Sequence, residues 1–553
     1  MSLITYFLYL PLASVATFLA LVIIRAKRRS LSSFLRGPPA PSYLLGNEND
    51  VQNQMQVGQL TFKWFENYGT AFRAKSCWDE DVLMTCDPRA IQHIFQTNQF
   101  RFRKAVDTTQ ASKNLFGEGL ASVEGAQHQR QRKIMTPAFS ANQMKPLSPF
   151  FSKAVKNLVT RWKNTLRSGD SDVIDTVKWF PNMTLDILGE SVFDYEFGAL
   201  DAKGTSELAN MIRDLFLDTK RPSQLFTLYR NFRRSVPDFV ANFLMTFPLF
   251  RTKEDIRWGK WLETSKATAQ RLFKNKLRSK TYEENDILGV LARSTSEDAR
   301  KNGLSLSDNE ALCQLATIIL AGHETSASTL TWILYQLSQK PADQERILQE
   351  IKAVREKNAN EEELTPAELD SMPFLNATIK ESLRLNPIVF QLFRESLDED
   401  VIPLSTPVTT PTGASINEIP IAKHQRIYID VAAYNRLKQV WGEDAEEWNP
   451  ERFMEGHHNR QTTLGVYANM FDDFRRRKQV VHWSSRLTHS YQTPSVLEVQ
   501  VVLAGLIEAF EFSFPKDTEV IGMPAGFNLP FVVGEWHKGP QMPLHVRIRE
   551  SGK

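Results

Sequence analysis

The sequence predicts a mainly α-helical fold with a minor β-sheet portion, set behind an N-terminal transmembrane helix. Three observations carry that expectation. Long helical patterns dominate from Asn47 onward, β-like segments are few and short, and the chain opens on an uncharged apolar run closed by a basic cluster. The 553 residues, 42% hydrophobic and 24% charged, hold ample material for a large core. A formal net charge of +3 points to no acidic partner, and no nucleic-acid partner is expected. Cys77, Cys86 and Cys313 show neither disulfide nor zinc spacing, which suits a reducing, cytosol-facing compartment.

Leu3 to Ile24 carry no charge, and at about 1.5 Å per residue this run spans a ~30 Å hydrocarbon core. Arg25, Lys27, Arg28 and Arg29 follow, and positive charge on that flank holds the rest of the chain on the cytosolic side. A cleaved signal peptide needs basic residues before a shorter apolar run, and nothing basic precedes Leu3. A buried core helix suits Pro11 and the aromatics Tyr6, Phe7 and Tyr9 less well than a membrane interface does. Residues 1–29 are therefore expected to be a signal anchor. Residues 30–46 form a connector stiffened by Arg36-Gly37-Pro38-Pro39-Ala40-Pro41, and 47–553 a single domain without a second linker.

Within that domain, strands are expected near Val82–Cys86, Ser415–Pro420 and Arg426–Asp430. Ser307-Asp308-Asn309-Glu310 is a capping box, and no proline interrupts the chain until Pro341, so one long helix is expected between them. Thr365-Pro366-Ala367-Glu368 opens a short helix with proline in its first turn. Further helices are expected at Leu375–Leu385, stopping before Pro387, and from Val496 towards Phe510.

The long helix contains Ala321-Gly322-His323-Glu324-Thr325. A glycine there is destabilising by roughly 1 kcal/mol relative to alanine, and the small Ala321-Gly322 pair would let a flat ligand approach the backbone. Thr325 offers a hydroxyl and Glu324 an acid able to pass protons. An exposed Glu-Thr pair on a large helix would read the same way. Glu381 and Arg384, three apart, are helix neighbours and pair, as surface residues commonly do. Arg452, after Pro450, could complete a Glu-Arg-Arg cluster. The basic run His128-Gln129-Arg130-Gln131-Arg132-Lys133 reads either as a solvated face or as partners for a carboxylate, with Arg394 a second candidate.

Taken in order, these motifs and Asn449-Pro450-Glu451-Arg452-Phe453 resemble the cytochrome P450 superfamily from about Gly37 to Val546, most closely its fungal membrane-anchored haem-thiolate monooxygenases. The resemblance implies the cytochrome P450 fold and haem b (iron protoporphyrin IX) as cofactor. It implies that Thr325 and Glu324 assist oxygen activation beside Ala321 and Gly322, and that His128, Arg132 and Arg394 hold the haem propionates. It further implies that Glu381, Arg384 and Arg452 lock the core behind the haem. Electrons would come from an NADPH-cytochrome P450 reductase, at the endoplasmic reticulum membrane and on its cytosolic side. Aromatics such as Phe116, Phe216 and Phe390 suit a lipophilic small-molecule substrate, and core packing explains them equally well.

The resemblance breaks at one place. The family's ligand loop, Phe-x-x-Gly-x-Arg-x-Cys-x-Gly, belongs between Phe453 and the last long helix, and no cysteine stands there. Instead the chain runs Phe471-Asp472-Asp473-Phe474-Arg475-Arg476-Arg477-Lys478-Gln479-Val480-Val481-His482-Trp483, then on to Ser495. A reading frame advanced by one base permits Phe at Phe474, Gly at Arg477, Arg at Gln479, Cys at Val481 and requires Gly at Trp483. Every fixed position of the family loop then falls in register. Residues 471–495 therefore read as a frame-shifted loop, with divergence by substitution as the alternative. His482 is an imidazole that could meet iron without thiolate push. As written, no residue is expected to serve as the metal's thiolate ligand. The chain is then expected to be inactive as a monooxygenase, leaving a haem-free binding protein or an unstable product as the other readings.

Overall fold

The computed structural model describes residues 29–550 apart from 140–142, 144, 170, 202–210, 212–214, 216–222, 237–239, 241–242, 244–246, 248–249, 280–286, 358–362 and 455–493. The Leu3–Ile24 anchor, Phe216 and nearly all of Phe471–Ser495, Val481 and His482 included, lie outside the described residues. Among the described residues no helix is long and apolar enough to cross a membrane.

In chain order the strands are β1 (Ala71–Lys75), β2 (Asp81–Thr85), β3 (Phe102–Lys104), β4 (Val173–Asp175), β5 (Gln391–Ser396), β6 (Asp400–Thr409), β7 (Ser415–Ile421), β8 (Arg426–Asp430), β9 (Phe510–Ser513), β10 (Val520–Ala525), β11 (Phe527–Val532) and β12 (Pro543–Ile548). The helices that matter for the site are α1 (Gly125–Met135), α2 (Ser148–Ser168), α3 (Thr176–Leu188), α4 (Gln224–Ser235), α5 (Asp308–Ser338), α6 (Pro341–Lys357), α7 (Pro366–Asp370), α8 (Pro373–Leu385) and α9 (Pro494–Ala509). The chain is mainly helical with small sheets, as its sequence predicts. The three expected strands are β2, β7 and β8, each within a residue of its expected bounds.

Both expected capping boxes form. Ser307 Oγ accepts from Glu310 N and the Glu310 carboxylate accepts from Ser307 N, closing the first turn of α5. Thr365 and Glu368 repeat the exchange at α7. Helix α8 begins at Pro373, two residues before the expected start, because a proline at the first turn lacks only an amide that would have no partner there.

The described residues group into two compact units, each assembled from three separate stretches. The first comprises Met1–Thr109, Lys220–Arg251 and Phe390–Tyr434. Its sheet has the order β1-β2-β8-β5-β3, with β2 and β8 parallel (Val82 opposite Arg426) and β5 antiparallel to β8. All five residues of β2 and of β8 are buried, which is why these strands read as apolar runs rather than alternating ones. The Pro-rich connector is extended and lies on this unit. Leu31 and Leu35 are buried, Arg73 N donates to Arg36 O at 3.0 Å, and Asn47 N donates to Lys75 O at 2.7 Å. A Cβ at Gly37 would fall 1.8 Å from Arg73 O, so only glycine permits that approach. Glu48, Asp107, Arg230 and Arg426 form a buried charge cluster that ties α4 to the sheet.

The second unit comprises Gln110–Thr219, Thr252–Val389 and Asn435–Lys553. Helix α5 runs through its core, where Leu330, Ile333 and Leu337 share one cluster with Val502 and Leu506 of α9 and Trp162 of α2. The sheet β4-β12-β9 and the hairpin β10-β11 complete the unit. Strands β9 and β12 alternate, as Phe510-Glu511-Phe512-Ser513 and Leu544-His545-Val546-Arg547-Ile548, whereas β10 and β11 carry the internal prolines Pro524 and Pro530, which weaken a strand signal.

Candidate active site

The centre of α5 is buried on most of its circumference. Ile318, Ile319, Leu320, His323, Glu324 and Ser326 are all inside, whereas Ala321, Gly322 and Thr325 are only half-buried. Ala321 and Thr325 stand one turn apart, so they share one open strip on an otherwise enclosed helix. Such a strip is where a flat group can lie against a helix.

The strip is rich in hydroxyls. Thr325 Oγ1 donates to Ala321 O at 2.8 Å and Thr329 Oγ1 to Thr325 O at 2.7 Å. These bonds compete with the helix's own ladder and leave its carbonyls shared at this turn. From the other side, Thr184 Oγ1 of α3 donates to His323 O at 3.0 Å, fixing the turn against α3. A Cβ at Gly322 would meet Leu188 Cδ1 at 3.4 Å, an ordinary contact. Gly322→Ala is therefore expected to raise the thermal unfolding free energy by up to about 1 kcal/mol through helix propensity alone. A calorimetric or circular-dichroism melt reads this directly.

Two titratable groups sit inside the turn. Burial pushes the Glu324 carboxyl up to about 7, opposed in part by Ser328 Oγ, which donates to it at 3.5 Å. Burial pushes His323 down to about 4, so its imidazole is neutral at pH 7. His323 Nδ1 lies 2.6 Å from Ile319 O and therefore carries the proton, which turns Nε2, 3.7 Å from Glu324 Oε2, into an acceptor. Glu324 is thus poised to change protonation near neutrality beside a neutral acceptor.

The Glu-Arg-Arg cluster forms and is buried. Arg384 grips Glu381 through both Nε and Nη2, each at 2.8 Å, with both side chains fully enclosed. Arg452 Nε reaches Glu381 Oε1 at 3.2 Å, and Asn449 N donates to the same oxygen at 2.8 Å. The remaining donors of Arg384 go to the carbonyls of Asn435, Ala445 and Glu447. Arg452 adds Trp441 O at 2.7 Å and Asp444. Arg384 Nη1 and Nη2 and Arg452 Nε therefore pin the segment 435–452 to α8, and the other arms of Arg452 brace that segment internally.

Of the cations that the resemblance assigns to haem propionates, His128 and Arg132 share the buried face of α1, one turn apart. Arg130 points elsewhere and pairs with Glu310 at the start of α5. Arg394 belongs to the other unit. It is buried on β5, donates to Phe393 O at 2.8 Å and stacks over Phe95 at 4.6 Å. Within the second unit, the buried guanidinium and imidazole on one face of α1 are the chemistry that a carboxylate-bearing cofactor such as haem needs.

The thiolate does not fit. All three cysteines are buried, and burial holds each as a thiol, Cys77 being pushed up to about 12 and Cys86 and Cys313 above the usual range. Cys313 lies on α5 packed against Gly117, whose Cβ would fall 2.5 Å from its Sγ.

One residue of the site was not anticipated from the sequence. Glu498 of α9 is buried and accepts a hydrogen bond from Ser326 Oγ at 2.7 Å. Its sequence signal is the lone charge in Val496-Leu497-Glu498-Val499, since an isolated carboxylate in an apolar helix calls for a partner.

Comparison with known proteins agrees with this geometry. The cytochrome P450 family profile matches residues 36–465 and ends short of Phe471. Cytochrome P450 monooxygenase claQ of Ampulloclitocybe clavipes is 29% identical over 538 residues, covering 96% of both chains. Cytochrome P450 monooxygenase 205 of Postia placenta is 28% identical over 542 residues, covering 97% of this chain and 96% of its own. With the long helix, its acid and hydroxyl turn and the buried Glu-Arg-Arg cluster in place, a profile match over most of the length means that this chain belongs to the cytochrome P450 family.

Proposed function

We propose that the chain carries the scaffold of a haem-thiolate monooxygenase acting on a lipophilic small molecule, with its ligand loop replaced, so that the polypeptide as written does not oxygenate a substrate. The observation that supports this reading is an intact acid and hydroxyl turn on α5 in a chain whose cysteines are all buried thiols. With a cysteine loop in place of Phe471–Ser495, the cysteine would hold haem b, which would supply oxygen activation. His128, Arg132 and Arg394 would hold its propionates. NADPH-cytochrome P450 reductase would supply electrons at the endoplasmic reticulum membrane, where the Leu3–Ile24 anchor keeps the catalytic part on the cytosolic side.

The work of this chain's own residues is proton handling. Glu324 keeps a proton in apolar surroundings until pH rises through about 7, and Thr325 stands next in sequence on the open strip with a hydroxyl that can pass it on. In a loop-restored enzyme, Glu324→Gln is expected to lower turnover about 10²-fold with haem content unchanged. The wild-type rate should fall as pH rises through about 7, and the variant should lose that inflection. An unchanged rate and pH profile in Glu324→Gln would remove the assigned role.

The absent ligand also supports a second reading, a binding protein that holds no haem. It requires cooperative unfolding of the haem-free chain, and no gain of haem when the loop is replaced.

A further inference from the structure

Glu498 stands near the start of α9, among buried Leu497, Val499 and Val502. It is only 6% exposed, and among the described residues its hydrogen bond is the one from Ser326. Ser326 is itself buried and also approaches Gly322 O at 3.4 Å, so its single proton goes to the closer carboxyl oxygen. A bare carboxylate in such a place needs a cation. Among the described residues no ion pair reaches Glu498, and several charged groups of the elements around α9 are paired elsewhere. On α5, His323 bonds Ile319 O; on α6, Arg355 pairs with Glu508. Asp370 of α7 takes Gln500, and Arg384 of α8 grips Glu381. Lys153 and Lys156 of α2 pair with Glu190 and Glu363, and Glu511 of β9 pairs with Arg547.

We propose that Glu498 is a positioning residue: a neutral carboxylic acid that fastens α9 to α5 through Ser326 and so fixes the turn from which Glu324 and Thr325 project. Burial pushes the Glu498 carboxyl up to about 8, and the Ser326 hydrogen bond opposes this only in part. The functional importance of the turn rests on the reading under Proposed function. The state and contact of Glu498 do not.

Infrared difference spectroscopy and hydrogen exchange on the full chain, and on its loop-restored form, test this without haem. At pH 7, Glu498→Gln is expected to remove a protonated-carboxyl stretch distinct from the one that Glu324→Gln removes. The amide side chain can still accept from Ser326, so exchange across 322–330 should stay at the wild-type rate in Glu498→Gln. In Glu498→Leu it should rise roughly tenfold. Where Glu498→Leu does not fold, Ser326→Ala gives the same exchange readout. No carboxyl band lost in Glu498→Gln, or unchanged exchange in both Glu498→Leu and Ser326→Ala, would overturn the proposal. Haem uptake by the loop-restored chain tests the monooxygenase reading separately.

Discussion

Arg384→Ala is expected to cost about 3–5 kcal/mol of unfolding free energy, a large share of the roughly 5–15 kcal/mol that holds a typical domain folded. The reason is the state of what remains. Glu381 is fully enclosed and takes both of its strong bonds from Arg384, so truncation leaves a buried carboxylate served only by Arg452 and the Asn449 amide. The carbonyls of Asn435, Ala445 and Glu447 lose their donor at the same time. Arg384→Lys should recover only part of the loss, because one ammonium cannot reproduce the two parallel bonds to Glu381 and three carbonyl contacts. A urea titration of the three proteins checks this. An unfolding free energy for Arg384→Ala within about 1 kcal/mol of wild type would mean that the cluster is replaceable by water.

The parts of the fold that local chemistry dictates were legible in the sequence. Capping boxes at Ser307 and Thr365 announce helix starts because both bonds of each box are made within four residues. The same holds for β8, whose Arg-Ile-Tyr-Ile-Asp run suits a strand covered on both faces. What the sequence hid depends on distant chain. The grouping into two units comes from contacts among three stretches each, which no local composition marks. Glu498 was missed because its partner, Ser326, lies far away in sequence on another helix. The Glu381–Arg384 pair looked like a common surface pair. Only packing shows that both groups have lost all contact with water, which turns a weak pair into a strong constraint. For Gly322, the spacing suggested room for a flat ligand. The structure shows that its Cβ direction faces Leu188, while the open strip belongs chiefly to Ala321 and Thr325.

The second large effect concerns residues 471–495. Replacing Phe471–Ser495 with a family-like loop that places cysteine at the position of Val481 should convert a chain without haem into one with haem. The second unit already carries groups suited to the cofactor: an open strip on α5 and the cations His128 and Arg132 on one face of α1. None of the existing cysteines can substitute, since burial keeps all three as thiols. Introducing a cysteine at Val481 alone should do less, because Arg475, Arg476, Arg477 and Lys478 beside it favour a solvated loop over an apolar thiolate pocket. Sequencing spliced transcripts across codons 465 to 500 would show whether the cell already makes the cysteine form.

The most direct measurement is the visible absorbance of the two purified proteins, the chain as written and its loop-restored form, each reduced under carbon monoxide. The account predicts no haem-thiolate signal from the first and a stoichiometric one from the second. A thiolate-ligated haem in the chain as written, or none in the restored form, would contradict it.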